Sequence, residues 1–207
     1  MLLAHAPRLE LRAPTPDEPL RVLVSGCLAG WGCGVNGTDY GLAAPLRDLL
    51  SLPTLRAFPF CPEDHGIGTP RTMPDIHGGD GHDVLDGKAR IFDEHGTDLT
   101  EAMLKGARAM LARALEHRVE LALLTDMSAA CGSQVISDGC RLVEHRSFTK
   151  GVGVATALLL RHAIPVVSQR DYRTLGRIRA LLDPSFVVDE AAIDHHETDW
   201  YRGYFGT

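Results

Sequence analysis

The chain has 207 residues, 44% hydrophobic and 23% charged, enough for one well-buried domain with an extension and too few for two large ones. Lys and Arg total 21 against 27 Asp and Glu, and the net charge of −6 counts against the broad cationic surface that drives non-specific nucleic-acid binding. MLLAHAP lacks the basic start and apolar core of a signal peptide, and the longest apolar run, in VGVATALLL, is far too short for a bilayer, so a cytoplasmic protein without membrane contact is expected.

Residues 1–20, with Pro7, Pro14, Pro16 and Pro19, read as an extended lead-in. RVLVSG (21–26) is a short apolar run ending in Ser-Gly, the pattern of a buried strand that delivers its carboxyl end to a loop. That loop, CLAGWGCGVNGTDYG, has five glycines in fifteen residues and carries Cys27 and Cys33. LAAPLRDLLS (42–51) has helical spacing, and LRAFPF (55–60) reads as a second strand ending at Cys61, the first residue of CPEDHGIGTPR.

GGDGHDVLDGKARIFDEHGTD predicts a mobile loop and an irregular hairpin. LTEAMLKGARAMLARALEHR (99–118) is the clearest helix, capped by Asp98 or Thr97, with Leu99, Met103, Ala107, Met110, Leu111, Ala114 and Leu115 on one stripe. VELALLT (119–125) is a strand running into DMSAACGS. KGVGVATALLLRHA (150–163), IPVVSQ (164–169) and DYRTLGRIRALL (171–182) read as helix, strand and helix. The alternation predicts an α/β fold: one domain over 21–169, a mostly parallel sheet with helices on both faces, and a C-terminal extension over 170–207.

Five cysteines, Cys27, Cys33, Cys61, Cys131 and Cys140, are an odd number without an export signal, so free thiols or ligands are expected rather than disulfides. Cys27, Cys61 and Cys131 each follow a predicted strand, and ligands gather beyond the carboxyl ends of parallel strands. Converging thiolates repel and are costly to desolvate unless a cation or cluster offsets their charge. Zinc with a fourth ligand, or a [4Fe–4S] cluster with one open iron, suits three cysteines. The spacings of 34 and 70 residues match neither a zinc knuckle nor a ferredoxin run, and an isolated cysteine is more often packing than ligand. Cys140 reads as structural. Cys33 is a neighbouring thiol, a spare ligand or a loop residue, and a Cys27/Cys33 redox pair is weakened by the lack of a CxxC.

VSGCLAG, CPEDHGIGTPR, DLTEAMLKGA, SAACGS and GVGVATALLLRHAIPVVS, in that order, resemble the family, formerly a domain of unknown function, that includes the [4Fe–4S]-dependent thiouracil desulfidases. The resemblance covers roughly residues 21–169. It implies a Rossmann-like fold and a [4Fe–4S] cluster held by Cys27, Cys61 and Cys131, whose open iron binds the sulfur of a small thiolated base. It also places the family's catalytic acidic residue on Glu63 and its catalytic serine on Ser128. Arg71 is expected to anchor substrate or structure. The family's SPSC is SAAC here, a lysine just upstream is replaced within LLTDMS, and the interval from CPE to PR is one residue shorter.

The function that follows is a non-redox desulfidase acting on a thiocarbonyl such as 2-thiouracil and releasing hydrosulfide. The alternatives are thiolated uridine in RNA, and a metal or iron–sulfur binding protein without turnover. The first glycine-rich turn of the 150–163 segment offers N–H groups to an anion or carbonyl, or serves close packing. His77, His82, His195 and His196 read as solvated, and WYRGYFGT as an aromatic tail docking over the pocket or on a second subunit, in a monomer or homodimer.

Overall fold

The structure, a computed structural model, describes residues 10–206. In chain order its elements are β1 (Leu20–Ser25), α1 (Arg47–Leu50), β2 (Leu55–Phe60), α2 (Pro62–Gly66), β3 (Asp75–His77), α3 (Gly81–Leu85), β4 (Arg90–Phe92), α4 (Thr100–Glu116) and β5 (Leu121–Leu124), followed by β6 (Val135–Asp138), β7 (Ser147–Lys150), α5 (Val154–Arg161), β8 (Val166–Ser168), α6 (Tyr172–Leu182) and α7 (Asp199–Phe205). β2, β1, β5 and β8 form a parallel sheet in that order, as the alternation of strands and helices predicts. Two antiparallel pairs, β3 with β4 and β6 with β7, stand outside it.

The sheet is buried on both faces, and successive strand residues divide between them. Leu23, Ala122 and Leu124 pack against Met103, Ala107 and Met110 of α4 and Val154 and Leu159 of α5. Leu20, Val22, Val24, Leu121, Leu123 and Val167 pack on the other side against Leu49 of α1 and Leu175, Ile178 and Leu182 of α6. The predicted stripe of α4 holds at Met103, Ala107, Met110 and Ala114, which are buried, whereas Leu115 is exposed.

Several boundaries differ from expectation, each for a local reason. The 42–51 segment divides into a 3-10 turn, Ala44–Leu46, and the single turn α1, because Pro45 has no N–H to donate and restrains the residue before it. The helix expected from 150 begins at Val154: Lys150 is paired with Val135 in the β6–β7 ladder, and Gly151 and Gly153 disfavour helix. The stretch between Gly78 and Asp98 holds α3, capped by Asp80 accepting from the N–H groups of His82 and Asp83, then β4. β6 was not anticipated, although Val135 and Ile136 are the β-branched pair that marks it.

Candidate active site

β1 lies between β2 and β5, with Ser25 in register with Phe60 and Val24 with Leu123. Their carboxyl ends therefore open side by side where the order of strands reverses, the crevice in which ligands of such sheets sit. Cys27 lies in the 3-10 turn Gly26–Ala29 directly after β1. Cys61 caps the amino end of α2, its sulfur accepting the Asp64 N–H at 3.4 Å. Cys131 is reached by the loop after β5 and is buried. Hydroxyl groups stand at neighbouring strand ends: Thr125 Oγ1 is 2.9 Å from Cys27 Sγ, and the Ser25 hydroxyl, which accepts the Thr125 N–H at 3.0 Å, favours the Cys131 thiolate.

Cys33 joins this group. Its sulfur lies by Gly26 beside Cys61, and its interactions with the Cys27 and Cys61 thiols hold its own proton far more tightly than in a free cysteine. The Cys33 thiol, working against burial, brings Cys27 down to about 7. The neighbouring Cys33 thiol is also the largest influence on Cys61 and lowers it. Burial, the largest influence, keeps Cys131 well above the ordinary range, and the charges of Cys61, Glu63 and Cys27 add to it. A thiol so placed ionises readily only beside a strong positive charge, and a bound metal supplies one.

Glu63, on the first turn of α2, faces this group of thiols. Ser128 Oγ donates to Glu63 Oε1 at 2.7 Å, and Arg71 grips Oε2 with Nη2 at 2.6 Å and Nε at 3.2 Å. The Arg71 side chain is only 4% exposed, and its Nη1 reaches the carbonyls of Cys33 at 3.0 Å and Gly68 at 3.1 Å. Burial opposes the Arg71 charge, but Glu63 raises its pKa above the ordinary guanidinium value. Ser128 Oγ in turn accepts the N–H groups of Ala130 at 3.1 Å and Cys131 at 3.0 Å. A carboxylate, a hydroxyl under two backbone donors and a guanidinium thus form one network with the loop of Cys131.

Two glycine contacts hold the parts in place. α2 crosses α4 with Gly66 on the Ala102 carbonyl and Gly106 on the Pro62 carbonyl, so close that a Cβ at either glycine would overlap backbone. The glycine-rich start of α5 packs in the same way on the 129–132 turn. Gly153 N–H goes to the Gly132 carbonyl at 2.8 Å, Val154 to Ala129 at 2.9 Å and Ala155 to Ala130 at 2.9 Å. These N–H groups have partners in the Cys131 loop, so the glycines there serve close packing rather than anion binding.

The sequence reading missed Thr125, whose hydroxyl reaches Cys27, Ser25, whose hydroxyl accepts the Thr125 N–H, and Asp126, which accepts the N–H groups of Ser133 at 2.8 Å and Gln134 at 3.2 Å. His195 is a correction. It is 2% exposed rather than solvated, with Nδ1 at 2.6 Å from Asp126 Oδ2. Its burial depends on a contact across 69 residues, which no local pattern shows. Cys140 lies past the end of β6, outside the group of thiols.

The sulfurs are soft donors, suited to zinc or an iron–sulfur cluster. Among the described residues no three His, Cys, Asp or Glu side chains close around a single ion. The cysteines of a cubane each hold a different iron and need only surround it, which the ends of three adjacent strands allow.

Residues 22–171 match the family described as 2-thiouracil desulfurase. The uncharacterized protein YbbK of Bacillus subtilis (strain 168) is 36% identical over 151 residues, covering 72% of this chain and 96% of that protein. A solved structure titled [4Fe-4S]-dependent thiouracil desulfidase TudS is similar with a TM-score of 0.64 and 31% identity, over 78% of this chain and 99% of that one. Its likeness accords with the parallel sheet flanked by helices found here. With three cysteines at adjacent strand ends and a sequence match running from within β1 past β8 to Asp171, the chain belongs to the 2-thiouracil desulfurase family.

Proposed function

We propose that this protein is a [4Fe–4S]-dependent desulfidase that converts a thiocarbonyl compound such as 2-thiouracil to the oxo compound and releases hydrosulfide, without net oxidation or reduction. The observation that carries the reading is the direct bond between Ser128 and Glu63 beside the cysteines at the strand ends. Cys27, Cys61 and Cys131 would hold the cluster, and their soft donor set and supporting hydrogen bonds fit it. When bound, the cluster would supply a thiophilic Lewis acid for the thiocarbonyl sulfur, which would polarise the carbon–sulfur bond.

The side chains do the rest. Arg71 fixes Glu63 through Oε2 and leaves Oε1 facing Ser128, so the carboxylate is placed to take a proton from the serine hydroxyl or from a water that the hydroxyl orients. The N–H groups of Ala130 and Cys131 on Ser128 Oγ favour negative charge developing on that oxygen. A carbon–oxygen bond forms, the carbon–sulfur bond breaks, and one water yields the carbonyl oxygen, a proton and hydrosulfide. The ring of Trp31, 45% exposed, lies over Gly26 next to Cys33 and Cys61 and offers a flat wall to a heteroaromatic base. Thiols kept free suit a reducing, cytoplasmic setting.

Anaerobically reconstituted protein should release sulfide and uracil from 2-thiouracil in equal amounts. Glu63→Gln should keep the brown colour and lose the activity. Sulfide released only from thiolated RNA would replace the substrate, and a brown protein releasing none from thiouracil, thiouridine or thioamides would leave a cluster-binding protein without turnover.

A further inference from the structure

The family match ends at Asp171, and residues 172–206 add to this chain a helix, an irregular strap and the aromatic helix α7. The strap folds back onto the start of α6 and is fastened there. Asp194 accepts from Thr174 N–H at 2.9 Å and Thr174 Oγ1 at 2.7 Å, and Arg173 reaches the Ala192 carbonyl at 2.9 Å and Glu197 Oε1 at 2.8 Å. This fastening delivers His195 to the interior. Its ring stacks on Trp200 with centroids 5.6 Å apart and planes 8° from parallel, and meets the edge of Tyr201.

What His195 touches is the loop of the proposed site. Asp126 is 4% exposed, and burial alone would raise it, yet its bonds to His195 and to the loop N–H groups hold it below the usual carboxylate value. A carboxylate accepts only, so His195 Nδ1 carries the shared proton. Through its other oxygen, Asp126 collects the N–H groups of Ser133, Gln134 and, at 3.4 Å, Val135. It thereby closes the 126–135 loop, within which Ser128 and Cys131 lie. The loop is bound to the extension a second time, because Asp171 Oδ1 accepts both Gln134 Nε2 at 2.6 Å and the His195 N–H at 3.1 Å. His195 Nε2 is buried without a hydrogen-bond partner, so the polar contact of the ring is made by Nδ1.

We propose that the C-terminal extension is a built-in brace for the catalytic loop, with His195 a positioning residue that acts through Asp126 to hold Ser128 and Cys131 in place. The catalytic part of this proposal rests on the desulfidase reading; the bracing part does not. An uncompensated carboxylate is costly at this depth. Without the histidine, Asp126 would turn toward water or protonate, and the loop N–H groups would lose their acceptor. A reaction that requires Ser128 within hydrogen-bond reach of Glu63 is sensitive to such loosening.

The two ring nitrogens can be tested separately. Asn places its amide near Nδ1 and should keep the bond to Asp126, whereas Gln places it near the unpartnered Nε2 and should not. In hydrogen exchange on the full chain, His195→Gln is expected to speed exchange of the Ser133 and Gln134 amides by about tenfold or more, with α4 amides unchanged, and His195→Asn to stay near wild type. With cluster loaded, His195→Gln should lower kcat for 2-thiouracil by about tenfold with KM little changed, and His195→Asn should restore it. If a variant also exposes its α4 amides, His195→Phe, which keeps the stack on Trp200, takes the place of His195→Gln. Unchanged exchange in His195→Gln, equal loss in both variants, or a loosened loop with unaltered kcat would overturn the proposal. Absence of turnover in wild type would overturn the desulfidase reading instead, and the exchange comparison would still decide whether the brace exists.

Discussion

Ser128 Oγ and Glu63 Oε1 are 2.7 Å apart although 65 residues separate them in the chain. The bond links the turn after β5 to the first turn of α2, so the two groups are expected to act as one unit. Glu63→Gln and Ser128→Ala should each lower turnover by ~10²–10⁴-fold with iron content retained. The double variant should lose little more than either alone, since removing either member disables the pair. Glu63→Gln is the informative change: its amide oxygen still faces Arg71, whereas Glu63→Ala would leave a 4%-exposed guanidinium unpaired and cost about 3–5 kcal/mol in stability.

Cys33 is expected to tune its neighbours rather than hold the cluster. In cluster-free, reduced protein the Cys33 thiol is the largest influence that lowers Cys27, to about 7. Removing that thiol in Cys33→Ala should destabilise the Cys27 thiolate, so the midpoint of alkylation against pH should move upward, toward the ordinary 9.0. Reconstituted Cys33→Ala should retain iron, and Cys61→Ala should not.

The crossing of α2 and α4 leaves no room for a methyl group. Gly106→Ala would set a Cβ against the Pro62 carbonyl, one residue from Cys61 and from Glu63. A loss of about 1–3 kcal/mol is expected from the forced backbone shift, read as a lowered denaturation midpoint, together with reduced iron uptake.

Asp126 should contribute to acid stability with a definite sign. Its folded value lies below the unfolded 3.8, so its contribution is present above the unfolded value and is lost as pH falls through the folded one. Asp126→Asn lacks that contribution at every pH. The gap in melting temperature between wild type and Asp126→Asn should therefore be widest near neutrality and close below about pH 4.

What the sequence made legible was what short segments determine. Three apolar runs followed immediately or shortly by cysteines, alternating with helical segments, imply parallel strands whose carboxyl ends share one edge, and Cys27, Cys61 and Cys131 follow such ends. What stayed hidden was long-range. Thr125 reaches Cys27 across 98 residues, Arg141 reaches Asp75 across 66, and His195 reaches Asp126 across 69, so the tail histidine resembled any solvated polar residue. The glycines before α5 were ambiguous because an anion site and a close backbone crossing need the same residue. Only the carbonyls of Ala129, Ala130 and Gly132 on the first-turn N–H groups separate the two readings.

The most direct measurement of the central claim is the fate of the oxygen atom. Anaerobically reconstituted wild-type protein is given 2-thiouracil in oxygen-18 water, with no added reductant, and the uracil and sulfide are counted. The expected result is many turnovers per chain, one sulfide per uracil and one oxygen-18 in each uracil, all lost in Glu63→Gln. Iron-loaded protein that forms no uracil, or forms it only with added reductant, would contradict the account.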